Sequence, residues 1–169
     1  GAVLGAGSDT AVDLHSYLIK TLLHHPDQLQ ALKNDENLVQ GAISETLRYE
    51  SSGKTGLARY ASEDIEINGY QIKKGQMVQL ITSTAGMDPK IYQNPRVFDI
   101  KRDHDKSISF GQGPHYCIGV TLVRSQTEVM LKELFKRFPN LSLGDEIVYD
   151  YNHHNARRMD VMTVHTNLS

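Results

Sequence analysis

The 169-residue length suits a single domain, and 18 Lys and Arg against 20 Asp and Glu leave a formal net charge of −2. That balance lacks the basic excess of a nucleic-acid-binding protein, and no apolar run in the sequence approaches the length of a membrane span. The single cysteine excludes an internal disulfide and a metal site with several cysteine ligands. One free thiol fits a reducing setting, so a cytoplasmic location is expected.

The N-terminal part of the chain is predicted to form three helices. Residues 1–8 are mostly small and apolar and lack an N-cap signal, so the chain is expected to begin inside a buried helix that continues over 9–25. Pro26 disfavours helix in the residue before it and suits the first turn of a second helix, over 27–33. A third helix is predicted over 38–49, where the pattern recurs at intervals of three and four.

The pattern then changes to an alternation of apolar and polar residues. Residues 65–72 alternate around Asn68-Gly69, a dipeptide that strongly favours a hairpin turn, and residues 77–81 are predicted to form another strand. Residues 88–106 show no periodicity, and so long an irregular stretch indicates a functional loop. A long helix is predicted over 118–138, and short strands over 141–169. The predicted fold class is mainly α with small β-sheets (α+β).

Residues 110–119, Phe-Gly-Gln-Gly-Pro-His-Tyr-Cys-Ile-Gly, surround the single cysteine with glycines. Cys117 is a buried structural residue, a nucleophile or a single thiolate ligand to a metal. The glycines favour the ligand, because residues without side chains let the backbone approach something flat and bulky. A helix that begins near Ile118 would direct its first N–H groups at the sulfur and stabilise the anion.

This segment resembles the haem-binding loop of cytochrome P450s, Phe-x-x-Gly-x-(His/Arg)-x-Cys-x-Gly, at every fixed position. The resemblance implies that Cys117 is the thiolate ligand of the iron of haem b, where a thiolate pushes electron density onto the metal and favours O–O cleavage. It also implies that Arg59 and His115 anchor the haem propionates. The residues expected to shape the loop are Phe110, Gly111, Gly113 and Gly119.

Residues 6–10, Ala-Gly-Ser-Asp-Thr, resemble the distal-helix motif of the same family, (Ala/Gly)-Gly-x-(Asp/Glu)-Thr. Taken alone, these residues are more typical of a helix N-cap. In the family, the small residues leave space for dioxygen, and an acid beside a hydroxyl delivers protons, so Asp9 and Thr10 are the candidate catalytic residues. The hydroxyl of Thr10 can also bond back to a carbonyl of the preceding turn.

Glu45 and Arg48 stand at i and i+3 on the third predicted helix. An exposed pair at this spacing contributes only about 0.2–0.5 kcal/mol. The resemblance to the family's Glu-x-x-Arg instead implies a buried structural pair that holds the irregular segment. Most relatives complete it with an arginine in Pro-x-Arg-Phe, where this chain has Val97. Either Arg96 reaches round or a backbone group substitutes.

The order of elements resembles the C-terminal half of a bacterial soluble cytochrome P450, so residues 1–169 are expected to form a single partial domain without the N-terminal half. The implied function is a monooxygenase that inserts one atom of O₂ into a small organic substrate, with electrons from NAD(P)H through a ferredoxin- or flavodoxin-type donor. The chain alone is expected to be inactive. By analogy, substrate contacts are expected from Val3, Leu4, Thr55, Gly56, Leu57, Ala58, Asn155 and Ala156.

Two alternatives stay open. A relative that uses peroxide or rearranges an oxygenated substrate keeps the haem, but such relatives often lose the acid–alcohol pair that Asp9 and Thr10 provide. A P450-like domain that only recruits other proteins does not need the thiolate, so the intact loop around Cys117 argues against it.

Overall fold

A computed structural model describes residues 2–53, 56–152 and 156–167, with the side chains of residues 2 and 3 left out. The helices are α1 (Ala2–His24), α2 (Pro26–Asn34), α3 (Val39–Tyr49), α4 (Thr82–Ala85) and α5 (Val120–Arg137). The strands are β1 (Leu57–Tyr60), β2 (Ile65–Ile67), β3 (Tyr70–Ile72), β4 (Met77–Leu80), β5 (Ser142–Asp150) and β6 (Arg158–His165). Single turns of 3₁₀ helix cover Glu36–Leu38 and Gly113–His115.

The strands form three antiparallel pairs, β1 with β4, β2 with β3, and β5 with β6. In the β2–β3 hairpin, Asn68 and Gly69 both have positive φ, 50° and 84°, as a tight hairpin turn requires. The β1–β4 pair encloses that hairpin, since Leu57 lies opposite Leu80 and Tyr60 opposite Met77. The prediction of a mainly helical fold with small sheets is confirmed.

The core lies where α1, α2, α3 and α5 meet. Leu14, Leu18 and Leu22 recur every fourth residue and bury one face of α1, as the helical spacing predicted. Two side chains from the irregular segment, Phe98 and Ile100, insert into the same cluster. The rest of the buried cluster consists of Leu29, Leu32, Val39, Ala42, Ile43 and Leu131.

The first turns of α1 are exposed, so the expectation of a buried helix at the start of the chain is wrong for the described side chains. Leu4 is 80% exposed and Val12 is 55% exposed. Burial begins at Asp13, because only from there onward does the helix pack among the other elements. None of the helices in the described part of the chain combines the length and hydropathy that a membrane crossing requires.

Three features of the fold differ from the sequence-based expectation. The sequence pattern did not indicate β1, whose four residues are all exposed, or the single turn of α4. The terminal strands β5 and β6 are longer than expected, with nine and eight residues. All three depend on pairing or packing with distant segments, and local periodicity carries little information about such contacts.

Candidate functional site

The loop that carries the cysteine is closed by backbone hydrogen bonds. The N–H of Cys117 donates to the carbonyl of Phe110 across 3.0 Å, and the N–H of Tyr116 donates to that of Gly113 across 3.0 Å. Gly111 and Gly113 have φ of 75° and 68°, in the left-handed region that glycine adopts without strain. Gly119 then caps α5, so the loop delivers Cys117 three residues before the helix begins.

The thiol of Cys117 is exposed, so the interpretation as a buried structural cysteine is wrong. A Cβ built on Gly113 would meet no atom within 4 Å, and one built on Gly111 would lie 3.6 Å from the carbonyl oxygen of His115. Packing within the described chain therefore does not explain why these positions lack side chains. Beside the thiol, Ile118 is 99% exposed. An accessible sulfur on an open, glycine-lined, partly apolar face fits a flat apolar group such as haem.

The second motif lies inside α1, so the reading as an N-cap is wrong. The Thr10 hydroxyl donates to the carbonyl of Ala6 across 2.6 Å, the back-bond that its position in the helix allows. The carboxylate of Asp9 is 58% exposed and forms an ion pair with Arg158 of β6, Oδ1 to Nη2, at 3.3 Å. A Cβ on Gly7 would meet nothing within 4 Å, so the surface of the helix here is open.

A partly buried hydrogen bond joins the helix that carries this motif to the helix that follows the cysteine loop. His15 Nε2 lies 3.0 Å from Oγ1 of Thr127. Because the Thr127 hydroxyl donates to the carbonyl of Val123, it accepts from the ring N–H of His15. Burial lowers the pKa of His15, which favours the neutral ring. On the N-terminal side of this contact both helices have exposed apolar residues, among them Leu4 of α1 and Leu122 of α5.

Glu45 and Arg48 form a fully buried pair, with 0% and 1% of their side chains exposed. Two parallel bonds join them, from Arg48 Nη2 to Glu45 Oε1 at 2.6 Å and from Nε to Oε2 at 2.7 Å. The backbone N–H of Asp99 also donates to Oε1, across 2.9 Å. Arg48 further donates to carbonyl oxygens of the irregular segment and the turn before it, those of Gly86, Pro95 and Val97. The pair thus ties α3 to a segment that has little regular structure of its own.

The second arginine of this cluster is Arg102, which sequence reasoning missed. Its Nε lies 3.2 Å from Oε1 of Glu45, and its side chain is 12% exposed. Arg96 is exposed, and its side chain does not reach the buried carboxylate of Glu45. The alternative of a backbone substitute is correct in part, since the backbone N–H of Asp99 also donates to Oε1 of Glu45. The available signal was a further arginine in the same irregular segment, on the far side of the buried Phe98.

The remaining predicted site residues lie in three places. Arg59 is exposed on β1, where its Nη1 donates to the carbonyl of Ala58 across 2.8 Å, and His115 is exposed in the 3₁₀ turn of the cysteine loop. Gly56 and Leu57 lead into β1, and Ala156 forms an antiparallel bridge with Gly53. Thr55, Asn155 and the side chain of Val3 lie outside the described residues.

No group of three or more His, Cys, Asp or Glu in residues 2–53, 56–152 and 156–167 could hold a metal ion. The adjacent His24 and His25 each bond through Nδ1 to a carbonyl of the preceding turn, those of Lys20 and Thr21. What the described site offers a metal is one thiol, the protein ligand that haem-thiolate iron needs.

Known proteins share both the sequence and the fold. Residues 1–148 match the family model for cytochrome P450. The chain is 37% identical over 152 residues to an epothilone C/D epoxidase from Sorangium cellulosum, covering 90% of this chain and 36% of the relative. It is 43% identical over 140 residues to a biotin biosynthesis cytochrome P450 from Bacillus subtilis (strain 168), covering 83% of this chain and 35% of the relative.

Among solved structures, the chain is similar to an epothilone D-bound cytochrome P450 with a TM-score of 0.94 and 36% identity. That match covers 99% of this chain and 41% of the solved one. The chain spans about a third of the length of the curated relatives it matches. With the family model matched along residues 1–148 and the fold shared throughout, the chain belongs to the cytochrome P450 family.

Proposed function

We propose that the complete protein is a haem-thiolate monooxygenase that inserts one oxygen atom of O₂ into a small organic substrate. The observation that carries the proposal is the exposed thiol of Cys117 at the end of a closed, glycine-lined loop. Its bacterial relatives support the same activity, since one is named as an epoxidase. When bound, haem supplies the chemistry that activates dioxygen.

Within this proposal, the chain's own residues hold the cofactor. Cys117 provides the thiolate, and the N-terminus of α5 three residues later favours its anionic form. Arg59 and His115, both exposed, provide the cationic and hydrogen-bonding side chains for the propionates. Phe110 shapes the loop through its carbonyl, which accepts from the N–H of Cys117. Gly111, Gly113 and Gly119 keep side chains out of the space that a flat group needs.

Asp9 and Thr10 have complementary roles in proton supply. The carboxylate of Asp9 is solvent-accessible and can take a proton from water, while Arg158 holds it in place. The hydroxyl of Thr10 now donates to Ala6, and that bond must open before the hydroxyl can donate elsewhere. An open helix surface at Gly7 leaves space for a small ligand and a water beside it.

The partners of the complete protein follow from the same proposal. Its electrons come from NAD(P)H through a ferredoxin- or flavodoxin-type protein, and its location is the cytoplasm. The substrate is a small organic molecule that contacts Leu4 and the segments around Gly56–Ala58 and Ala156. The 169-residue chain by itself does not turn over, because the first turns of α1, where the proposed proton donors lie, are exposed.

The test is the ferrous–CO absorbance spectrum of the complete protein. Wild type should show the thiolate-type band, Cys117→Ser should lose it, and the neighbouring exposed substitution Gln112→Ala should keep it. A wild type without a Soret band would favour a recruitment domain instead. Turnover is then measured with NAD(P)H plus a redox partner and with peroxide alone. Peroxide-only turnover that Thr10→Ala leaves unchanged would favour the peroxygenase alternative.

A further inference from the structure

Arg157 lies directly before β6, in the hairpin that β5 and β6 form, here called the terminal hairpin. It joins this hairpin to the loop that follows α3. Its backbone N–H donates to the carbonyl of Ser52 across 2.8 Å, next to the bridge between Gly53 and Ala156. Its own carbonyl accepts from the hydroxyl of Tyr17 on α1, across 2.9 Å. The backbone at this one position is therefore held on both sides.

The side chain of Arg157 makes a second set of contacts to the same elements. Its Nε donates to the hydroxyl of Tyr17 across 2.8 Å, and its Nη2 donates to Oε2 of Glu50 across 2.6 Å. The guanidinium carbon lies 5.3 Å and 5.6 Å from the ring centroids of Tyr17 and Tyr149. Planar stacking combined with a fork of donors is specific to arginine, so lysine cannot reproduce it.

Glu50, directly after α3, is the acidic centre of this cluster. Its Oε1 accepts from Lys20 of α1 across 2.7 Å while Oε2 accepts from Arg157, and 20% of its side chain is exposed. Burial raises the pKa of Tyr17, so its hydroxyl stays protonated and both donates to and accepts from Arg157. Three elements, α1, α3 and the terminal hairpin, thus meet at one guanidinium.

We propose that Arg157 is a positioning residue that sets the separation of the segment after α3 from the end of the terminal hairpin, and thereby the affinity for bulky ligands. This inference rests on the proposed function, in which Gly56–Ala58 and Ala156 contact the substrate. The contacts of Arg157 hold Gly53 and Ala156 side by side before a ligand arrives. Without those contacts, a large ligand bears the entropic cost of bringing the two positions together, and a small one does not.

The experiment compares two azoles that both ligate haem iron through an imidazole nitrogen, imidazole and the bulky clotrimazole. Each is titrated into the complete, haem-loaded protein and followed by the shift of the Soret band. For Arg157→Lys, and for the milder Tyr17→Phe, we expect clotrimazole to bind about tenfold more weakly, as for the loss of one charge-assisted hydrogen bond. Imidazole binding should stay unchanged.

Two controls separate positioning from general stability. Val39→Ala truncates a core side chain remote from both segments and should lower the Tm without changing the ratio of the two affinities. A disulfide between Gly53→Cys and Ala156→Cys, at the antiparallel bridge, joins the two segments covalently. In the Arg157→Lys background it should restore clotrimazole affinity, and dithiothreitol should abolish the restoration.

Unchanged clotrimazole affinity in haem-loaded Arg157→Lys and Tyr17→Phe would overturn the inference alone. So would a parallel loss for both azoles, or a disulfide that restores nothing. A wild type that never shows a haem spectrum would overturn the proposed function, and the inference with it.

Discussion

Arg102 donates from Nε to Oε1 of Glu45 across 3.2 Å, although the two residues lie 57 positions apart in the chain. The same guanidinium donates to the carbonyls of Gln93 and Val97. A fully buried carboxylate thus has two guanidinium partners and a backbone N–H, which compensates the cost of removing its charge from water. Arg102 is therefore the second arginine partner of Glu45, a role for which the sequence suggested Arg96 or a backbone group.

Arg102 and Arg96 should contribute very differently to the stability of the fold. Arg102→Ala removes one charged donor from the fully buried carboxylate of Glu45, so it should lower the free energy of unfolding by about 1–3 kcal/mol. Arg96→Ala changes an exposed side chain and should stay within about 0.5 kcal/mol. Urea unfolding of the complete protein measures both variants. A larger loss for Arg96→Ala would contradict the assignment.

Truncating Glu45 or Arg48, the pair on α3, should lower the free energy of unfolding more than Arg102→Ala does. Glu45→Ala leaves the buried guanidinium of Arg48 without its carboxylate, and Arg48→Ala removes the main partner of that buried carboxylate, at a cost of about 3–5 kcal/mol. We expect neither variant to incorporate haem, as measured by the ferrous–CO band.

The matched control for this pair is Arg137→Ala, which removes an exposed i,i+4 partner of Glu133 and should cost less than about 0.5 kcal/mol. A Glu45→Ala protein with a normal ferrous–CO band would refute the structural role of the pair.

At Gly41 the irregular segment packs directly against α3. A Cβ at this position would overlap the carbonyl oxygen of Ile100, which is backbone and cannot swing aside. Gly41→Ala should therefore lower the free energy of unfolding by about 1–3 kcal/mol, despite the better helix propensity of alanine. At Gly53, where the nearest atom to a Cβ lies 3.7 Å away, the same change should stay within about 0.5 kcal/mol. Equal Tm values for the two variants would contradict this packing.

Two partly buried histidines predict a loss of stability in mild acid. Burial lowers the pKa of His15 and of His104 below the ordinary 6.5. His104 lies 3.6 Å from Glu45, which raises its pKa, but burial together with Arg48 and Arg102 outweighs that effect. Neither ring nitrogen of His104 has a hydrogen-bond partner among the described residues. Both rings are therefore expected to be neutral in the folded chain above pH 6.5.

The direction of the change in stability with pH follows from the protons that each state binds. As the pH falls below 6.5, the unfolded chain binds protons that the folded chain does not, so stability present above that pH is lost towards the folded pKa values. Each histidine contributes up to about 1.4 kcal/mol per pH unit. His15→Gln keeps a side-chain N–H for Thr127 but does not titrate, so its stability should fall less steeply. Urea midpoints measured through this range test the slope, and parallel curves for wild type and variant would exclude a role for His15.

The elements with local causes could be predicted from the residue pattern. Three signals act within a few residues of the chain: the helical spacing in α1 and α3, Pro26 at the start of α2, and the Asn68-Gly69 turn. Signals of this kind can be recognised in the sequence without knowledge of the fold. The cysteine loop belongs with them, because its glycines and its cysteine are contiguous and the N–H of Cys117 reaches a carbonyl only seven residues earlier.

Contacts between distant groups depend instead on how the whole chain packs. Arg102 rather than Arg96 reaches Glu45, β1 pairs with β4 across an intervening hairpin, and Arg157 connects α1, α3 and the terminal hairpin. Each contact depends on how the backbone of an irregular segment returns to the core. Sequence spacing does not encode that path, because burial and hydrogen-bond satisfaction select it only once the whole chain has packed.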